Sequence, residues 1–167
     1  MNRLPDFPDG DWIIIDTNIL LYWAFKHPLY YSACEELLHR SINQKIHLCF
    51  PPMVRHEFLH RLMIAEVIED GNANSHQQAL NLIKRDPSII QKLTRTFEIY
   101  DAILSCEMIM LEDNADVFSL QKDNIKKYGL MAADAAIVAS ASYNQIFHIA
   151  TNDSDYERIS WLTVWKP

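Results

Sequence analysis

The stretch Trp12-Ile13-Ile14-Ile15-Asp16-Thr17-Asn18 decides how the chain folds. Trp12 to Ile15 are apolar and mostly β-branched with no polar alternation, the pattern of a strand buried on both faces, as in a parallel sheet. The run breaks into three polar residues suited to capping the helix that Ile19 to Phe25 begins. A buried strand feeding a helix is the first unit of an α/β chain. Pro28 ends that helix, and Ser32 with Glu35 reads as a capping box for a second helix running to about Asn43.

Downstream the alternation continues. Ile46 to Phe50 is a second strand, and Pro51-Pro52 opens a helix over Met53 to Glu69, with Val54, Phe58, Leu62, Ala65 and Ile68 at helical spacing. Asp70-Gly71-Asn72 stops it. Ser75 to Lys84 and Ser88 to Leu104 are two further predicted helices, separated by Asp86-Pro87. Met108 to Leu111 is a candidate strand, Asp116 to Tyr128 a helix closed by Gly129, and Ala132 to Asn144 a helix of small residues. Phe147 to Ala150 and Thr163 to Trp165 are the last strands. With no repeat, low-complexity segment or linker, residues 1–167 read as a single α/β domain with a mainly parallel sheet.

Composition narrows the classes of function. The longest apolar stretch, Ile19 to Phe25, is about a third of the roughly 20 residues a membrane-spanning helix needs, and Met1 to Asp6 lack the apolar core of a signal peptide. Cys34, Cys49 and Cys106 are odd in number and far apart, which favours a reducing compartment, the cytoplasm, over a disulfide framework or zinc knuckle. The net charge of −7 counts against simple nucleic-acid binding, yet acids that serve as metal ligands lower the net charge until a cation neutralises them. Seven of the 15 basic residues fall in two groups, Lys84, Arg85, Lys92 and Arg95, then Lys122, Lys126 and Lys127, each either a solvated helix face or an RNA track.

In a parallel sheet, ligands sit beyond the C-terminal ends of the strands. Asp16 directly follows one strand, and Asp153 follows another after Thr151-Asn152. Glu57 lies in the first turns of the helix after the second strand, and Asp134 opens the helix leading into the Phe147 strand. Each has an ordinary role open to it: turn former, helix-start carboxylate or exposed helix residue. Together they share one predicted rim. Clustered carboxylates repel one another, and an oxygen-seeking divalent cation, Mg²⁺ or Mn²⁺, removes that cost and activates water for phosphoryl displacement.

The same residues carry a family resemblance. Ile13-Ile14-Ile15-Asp16-Thr17-Asn18, Glu57 in a helix, Tyr128-Gly129-Leu130-Met131-Ala132-Ala133-Asp134, and Ile149-Ala150-Thr151-Asn152-Asp153-Ser154-Asp155-Tyr156 resemble a PIN domain. The similarity is greatest to the toxin half of VapC-type toxin–antitoxin pairs. It implies a three-layer α/β/α domain with about four to five strands. It also implies a Mg²⁺- or Mn²⁺-dependent endoribonuclease leaving a 3′-hydroxyl and a 5′-phosphate, a frequent homodimer, and a small antitoxin whose tail blocks the site. By position Asp16, Glu57, Asp134 and Asp153 match the family's four acids, oriented by Thr17, Asn18, Thr151 and Asn152. Asp155 is a fifth acid, better placed to cap a helix. Arg55, Arg61, Lys84, Arg85, Lys92 and Arg95 are the candidate RNA contacts.

A rival pattern uses the same Glu57. His56-Glu57-Phe58-Leu59-His60 matches H-E-x-x-H, the zinc-protease helix motif. Its extended form requires Gly at Met63 and His at Glu66, and it leaves Asp16, Asp134 and Asp153 unexplained. A catalytically silent partner-binding protein is the other alternative, though it would ordinarily have lost an acid.

Overall fold

A computed structural model describes residues 2–167. The strands are β1 (Asn2–Arg3), β2 (Trp12–Ile15), β3 (His47–Phe50), β4 (Ile109–Met110), β5 (His148–Ala150) and β6 (Thr163–Lys166). The helices are α1 (Thr17–Ala24), α2 (Tyr31–Ile42), α3 (Pro52–Glu69), α4 (His76–Arg85), α5 (Arg95–Leu104), α6 (Ala115–Tyr128) and α7 (Ala132–Tyr143). The backbone forms two compact units. One comprises the chain up to Arg55 and from Cys106 to Pro167, the other His56–Ser105.

All six strands belong to the first unit and form one parallel sheet in the order β1-β6-β5-β2-β3-β4. The unbroken apolar run earns the central place: Ile13, Ile14 and Ile15 are wholly buried, and Ile14 pairs with Cys49 on one side and Ile149 on the other. From β2 the chain moves through α1 and α2 to β3. From β4 it passes through α6 and α7 to β5, in the opposite direction along the sheet. Right-handed crossovers running opposite ways put the two packed helix pairs on opposite faces, which makes three layers. No helix of the described residues is long and apolar enough to cross a membrane.

The sheet has six strands rather than four or five. The extra one, β1, is two polar residues at the edge, where Asn2 and Arg3 pair with Trp165 and Lys166. The capping box at Ser32 is also corrected. α2 begins at Tyr31 without a side-chain cap, and the Tyr31 hydroxyl donates to the Glu35 carboxylate one turn along. α1 ends at Ala24, before Pro28, as the backbone turns left-handed at Lys26.

The second unit has a small core of its own, Ile64, Val67, Ala73, Ala79 and Leu93, with Ile68, Ile83 and Ile89 packed against it. Here the helix expected over Ser88 to Leu104 is two pieces, a 3-10 turn over Pro87–Lys92 and then α5. The cause is Glu66. Its buried carboxylate accepts the backbone N–H groups of Thr94 (2.9 Å), Arg95 (3.1 Å) and Thr96 (2.7 Å), capping α5 from 28 to 30 residues upstream.

Candidate active site

β2 and β5 are neighbours at the centre of the sheet, where the direction of winding reverses, so their C-terminal ends form the crevice in which α/β sheets bind ligands. Ile15 is in register with Ala150, and the Asp16 N–H donates to the Ala150 carbonyl at 3.0 Å. The next residues on the two strands, Asp16 and Thr151, therefore stand side by side, and both are buried.

Asp16 holds the backbone conformation of a helix cap, but its side chain makes no capping bond to α1. Its Oδ2 instead accepts the Thr151 hydroxyl at 2.6 Å and the Asn18 amide at 2.6 Å. Asn18 also donates to Thr151 Oγ1 (2.9 Å), and so does the Asp153 backbone N–H (3.0 Å). A threonine hydroxyl has one proton and two lone pairs, and here all three are used. Asn152 extends the network: its N–H donates to Asn18 Oδ1 at 3.4 Å and its amide to the Tyr22 hydroxyl at 3.3 Å.

Asp153 is fixed from the other side, where its Oδ1 accepts the Asp155 N–H at 2.8 Å and starts the 3-10 turn Asp155–Arg158. Asp155 does not cap that turn as expected but stands as its first residue and pairs with Arg158. Asp134 stands in the first turn of α7. Its Oδ1 receives the hydroxyl of Tyr156, wholly buried in the 3-10 turn, at 3.3 Å. Burial first, then the charges of Asp16, Asp134 and Asp153, hold the Tyr156 phenol far above its ordinary value. Tyr156 thus ties the turn that follows Asp153 to Asp134 at the start of α7.

Residues 13–162 match the PIN domain family. The chain belongs to that family. It is 30% identical over 136 residues to Ribonuclease VapC6 of Methanocaldococcus jannaschii, which covers 81% of this chain and 86% of that protein. Ribonuclease VapC2 of the same organism is 25% identical over 154 residues, 91% of each. The crystal structure of VapBC2 from Rickettsia felis bound to a promoter DNA fragment shares the fold, with a TM-score of 0.56 at 18% identity over 93% of this chain and 98% of that one.

The remaining selected residues of this PIN domain lie as follows. Thr17 is buried in the first turn of α1. Glu57 is partly buried on α3 in the second unit, and Arg55 is partly buried one turn from the start of that helix. Arg61, Lys84, Arg85 and Lys92 are exposed, Lys84 and Arg85 in the last turn of α4 where cations suit the helix dipole. Arg95 is drawn into an acidic cluster, with Asp70 at 2.6 Å, Glu69 at 3.3 Å and Glu66 at 3.9 Å. His56 and His60 are exposed, and the His60 ring meets the edge of His76 at 5.8 Å.

Among the described residues no three His, Cys, Asp or Glu side chains close into a group that could hold a metal ion, whether around His56 and His60 or around the aspartates. The donor chemistry nevertheless separates the two. The aspartates offer only anionic oxygens, all within electrostatic reach of Tyr156, and such a set suits a hard divalent cation rather than zinc. Sequence reasoning missed Tyr22 and Tyr156. Tyr156 sits in the quoted motif, but nothing local reveals that its hydroxyl partner lies 22 residues upstream.

Proposed function

We propose that this PIN domain is an endoribonuclease, with Asp16, Asp134 and Asp153 at its active site, Glu57 as the fourth acid, and Mg²⁺ or Mn²⁺ as cofactor. The observation that carries this reading is the hydrogen-bonded chain at the winding switch of the sheet, in which Thr151 links Asp16 to the Asp153 backbone and Tyr156, in the turn after Asp153, reaches Asp134. The VapC ribonucleases among its relatives supply the substrate class. Glu57 rests on the sequence match alone.

The three aspartates, with Glu57, would hold the cation, which when bound acidifies water and offsets phosphate charge. The chain's own groups do the positioning. Thr151 and Asn18 lock one oxygen of Asp16, and the Asp155 N–H locks one of Asp153, so both carboxylates are oriented before substrate arrives. Water attack on phosphorus with departure of the 3′-oxygen leaves a 3′-hydroxyl and a 5′-phosphate. Arg55, Arg61, Lys84, Arg85 and Lys92 are the proposed phosphate contacts, and Arg95 is the weakest of that group because acids already hold it.

A small antitoxin protein is the proposed partner and a homodimer the proposed assembly, as the resemblance to VapC-type toxins implies. Three buried cysteines fit a reducing cytoplasm.

The test is cleavage of a panel of structured RNAs with Mg²⁺, Mn²⁺, Zn²⁺ or a chelator, alongside Asp16→Asn. Cutting with Mg²⁺ or Mn²⁺ that is lost with chelator and in Asp16→Asn, at unchanged circular dichroism, is the expected outcome. Cutting retained by Asp16→Asn removes Asp16 from the mechanism.

A further inference from the structure

We propose that Tyr156 is a positioning residue for the acidic site: its phenolic O–H, donated to Asp134, sets the orientation of that carboxylate without neutralising it. The proposal rests on the nuclease reading of the acids.

The geometry is specific. Tyr156 is wholly buried, and its Oη lies 3.3 Å from Asp134 Oδ1. The turn that carries it is tied to the start of α7, which carries Asp134. Arg158 donates to the carbonyls of Tyr128 and Gly129, each at 3.2 Å, just before that helix, and pairs with Asp155 in the same turn. The turn is closed by the Asp155 N–H on Asp153 and the Ile159 N–H on the Tyr156 carbonyl at 3.1 Å. Ring and carboxylate are therefore each anchored through their own backbones, and the hydroxyl bridges them.

Packing alone does not explain the hydroxyl. Phenylalanine would fill the same space with no polar atom to satisfy, whereas a buried hydroxyl costs free energy unless it is hydrogen-bonded. What tyrosine adds is one neutral donor among three anions. A lysine or arginine there would hold Asp134 more strongly, but it would also cancel the charge that a divalent cation needs. A phenol orients one oxygen and leaves the site's negative charge intact.

The experiment compares wild type, Tyr156→Phe, Asp134→Asn and the double variant by Mn²⁺ titration, read as the fall in the free-Mn²⁺ electron paramagnetic resonance signal, and by RNA-cleavage kinetics. Tyr156→Phe is expected to weaken Mn²⁺ binding about tenfold and lower kcat to a similar extent, with KM for RNA unchanged. Both effects should vanish in the Asp134→Asn background. Wild-type Mn²⁺ affinity and kcat in Tyr156→Phe would overturn the proposal, as would an undiminished effect in the double variant. Full-strength Mn²⁺ binding by Asp134→Asn would instead remove Asp134 from the site, and this proposal with it. Should Tyr156→Phe not fold, wild-type protein carrying ¹³Cζ-tyrosine replaces it. The Tyr156 resonance is expected to move on Mg²⁺ addition and to stay still in Asp134→Asn. A resonance that Mg²⁺ does not move in wild type overturns the proposal.

Discussion

Thr151 donates its hydroxyl to Asp16 Oδ2 at 2.6 Å, a buried bond between residues 135 positions apart in the chain. The parallel register of β2 and β5 makes it possible, because the residues that follow Ile15 and Ala150 emerge side by side. Replacing Thr151 by Val keeps the shape but removes both the donor to Asp16 and the acceptor for Asn18 and Asp153. A loss of about 1–3 kcal/mol in urea unfolding is expected for a charged acceptor stripped of a buried partner, together with reduced cleavage. Thr151→Ser should restore both, and a Val variant as stable and active as wild type would show that the hydroxyl is dispensable.

Glu57 and His60 separate the two readings of the α3 motif. Glu57→Gln should depress Mn²⁺-dependent RNA cleavage, because an amide is a poor ligand for a hard cation. His60→Ala should leave that cleavage unchanged and only disturb the edge contact with His76. The opposite pattern, with activity that follows added Zn²⁺, would revive the protease motif.

The second unit carries a pH signature. Burial works to raise the Glu66 carboxyl, but the hydrogen bonds donated by residues 94–96 outweigh it and hold the group below its ordinary 4.5. A depressed folded value means that the stabilisation is complete above about pH 4.5 and is lost as the pH falls through the folded value. The protection factors of the Thr94, Arg95 and Thr96 amides, taken relative to intrinsic exchange at each pH, should therefore fall in acid. Glu66→Gln should show the same loosening at neutral pH, at a cost of about 1–3 kcal/mol, and no further acid sensitivity at those amides.

The thiols offer a test of the packing. Burial pushes Cys34 and Cys49 up to about 12 and raises Cys106 as well. At pH 8 roughly one in ten thousand of the first two is thiolate, so alkylation of the folded protein should be very slow and should accelerate sharply in denaturant. Rapid labelling of either cysteine in the native protein would contradict its place in the core.

What could be read without coordinates follows the range of the forces involved. Ile13-Ile14-Ile15-Asp16 was legible because a strand buried on both faces writes its environment into consecutive residues, and its end marks the rim. The Gly129 helix stop was legible for the same local reason: α6 ends with that residue at a φ of 64°. Strand β1 was not, since two polar residues at a sheet edge pair through their backbones and leave no side-chain pattern. The break before α5 escaped notice because the acceptor for its amides belongs to α3. Asp16, Asp134 and Asp153 were picked out by their positions at strand and helix ends, whereas the hydroxyl that Asp134 accepts comes from a tyrosine indistinguishable in sequence from a packing residue.

The central pairing of β2 with β5 has a consequence for the timing of synthesis. Asp16 is synthesised 135 positions ahead of Thr151, whose hydroxyl orients it, and the Asp153 backbone follows later still. Contacts between the two ends of a sequence form late, because a long loop must close before they can hold. On the proposed function, the acidic site would be incomplete in a nascent fragment until β5 pairs with β2.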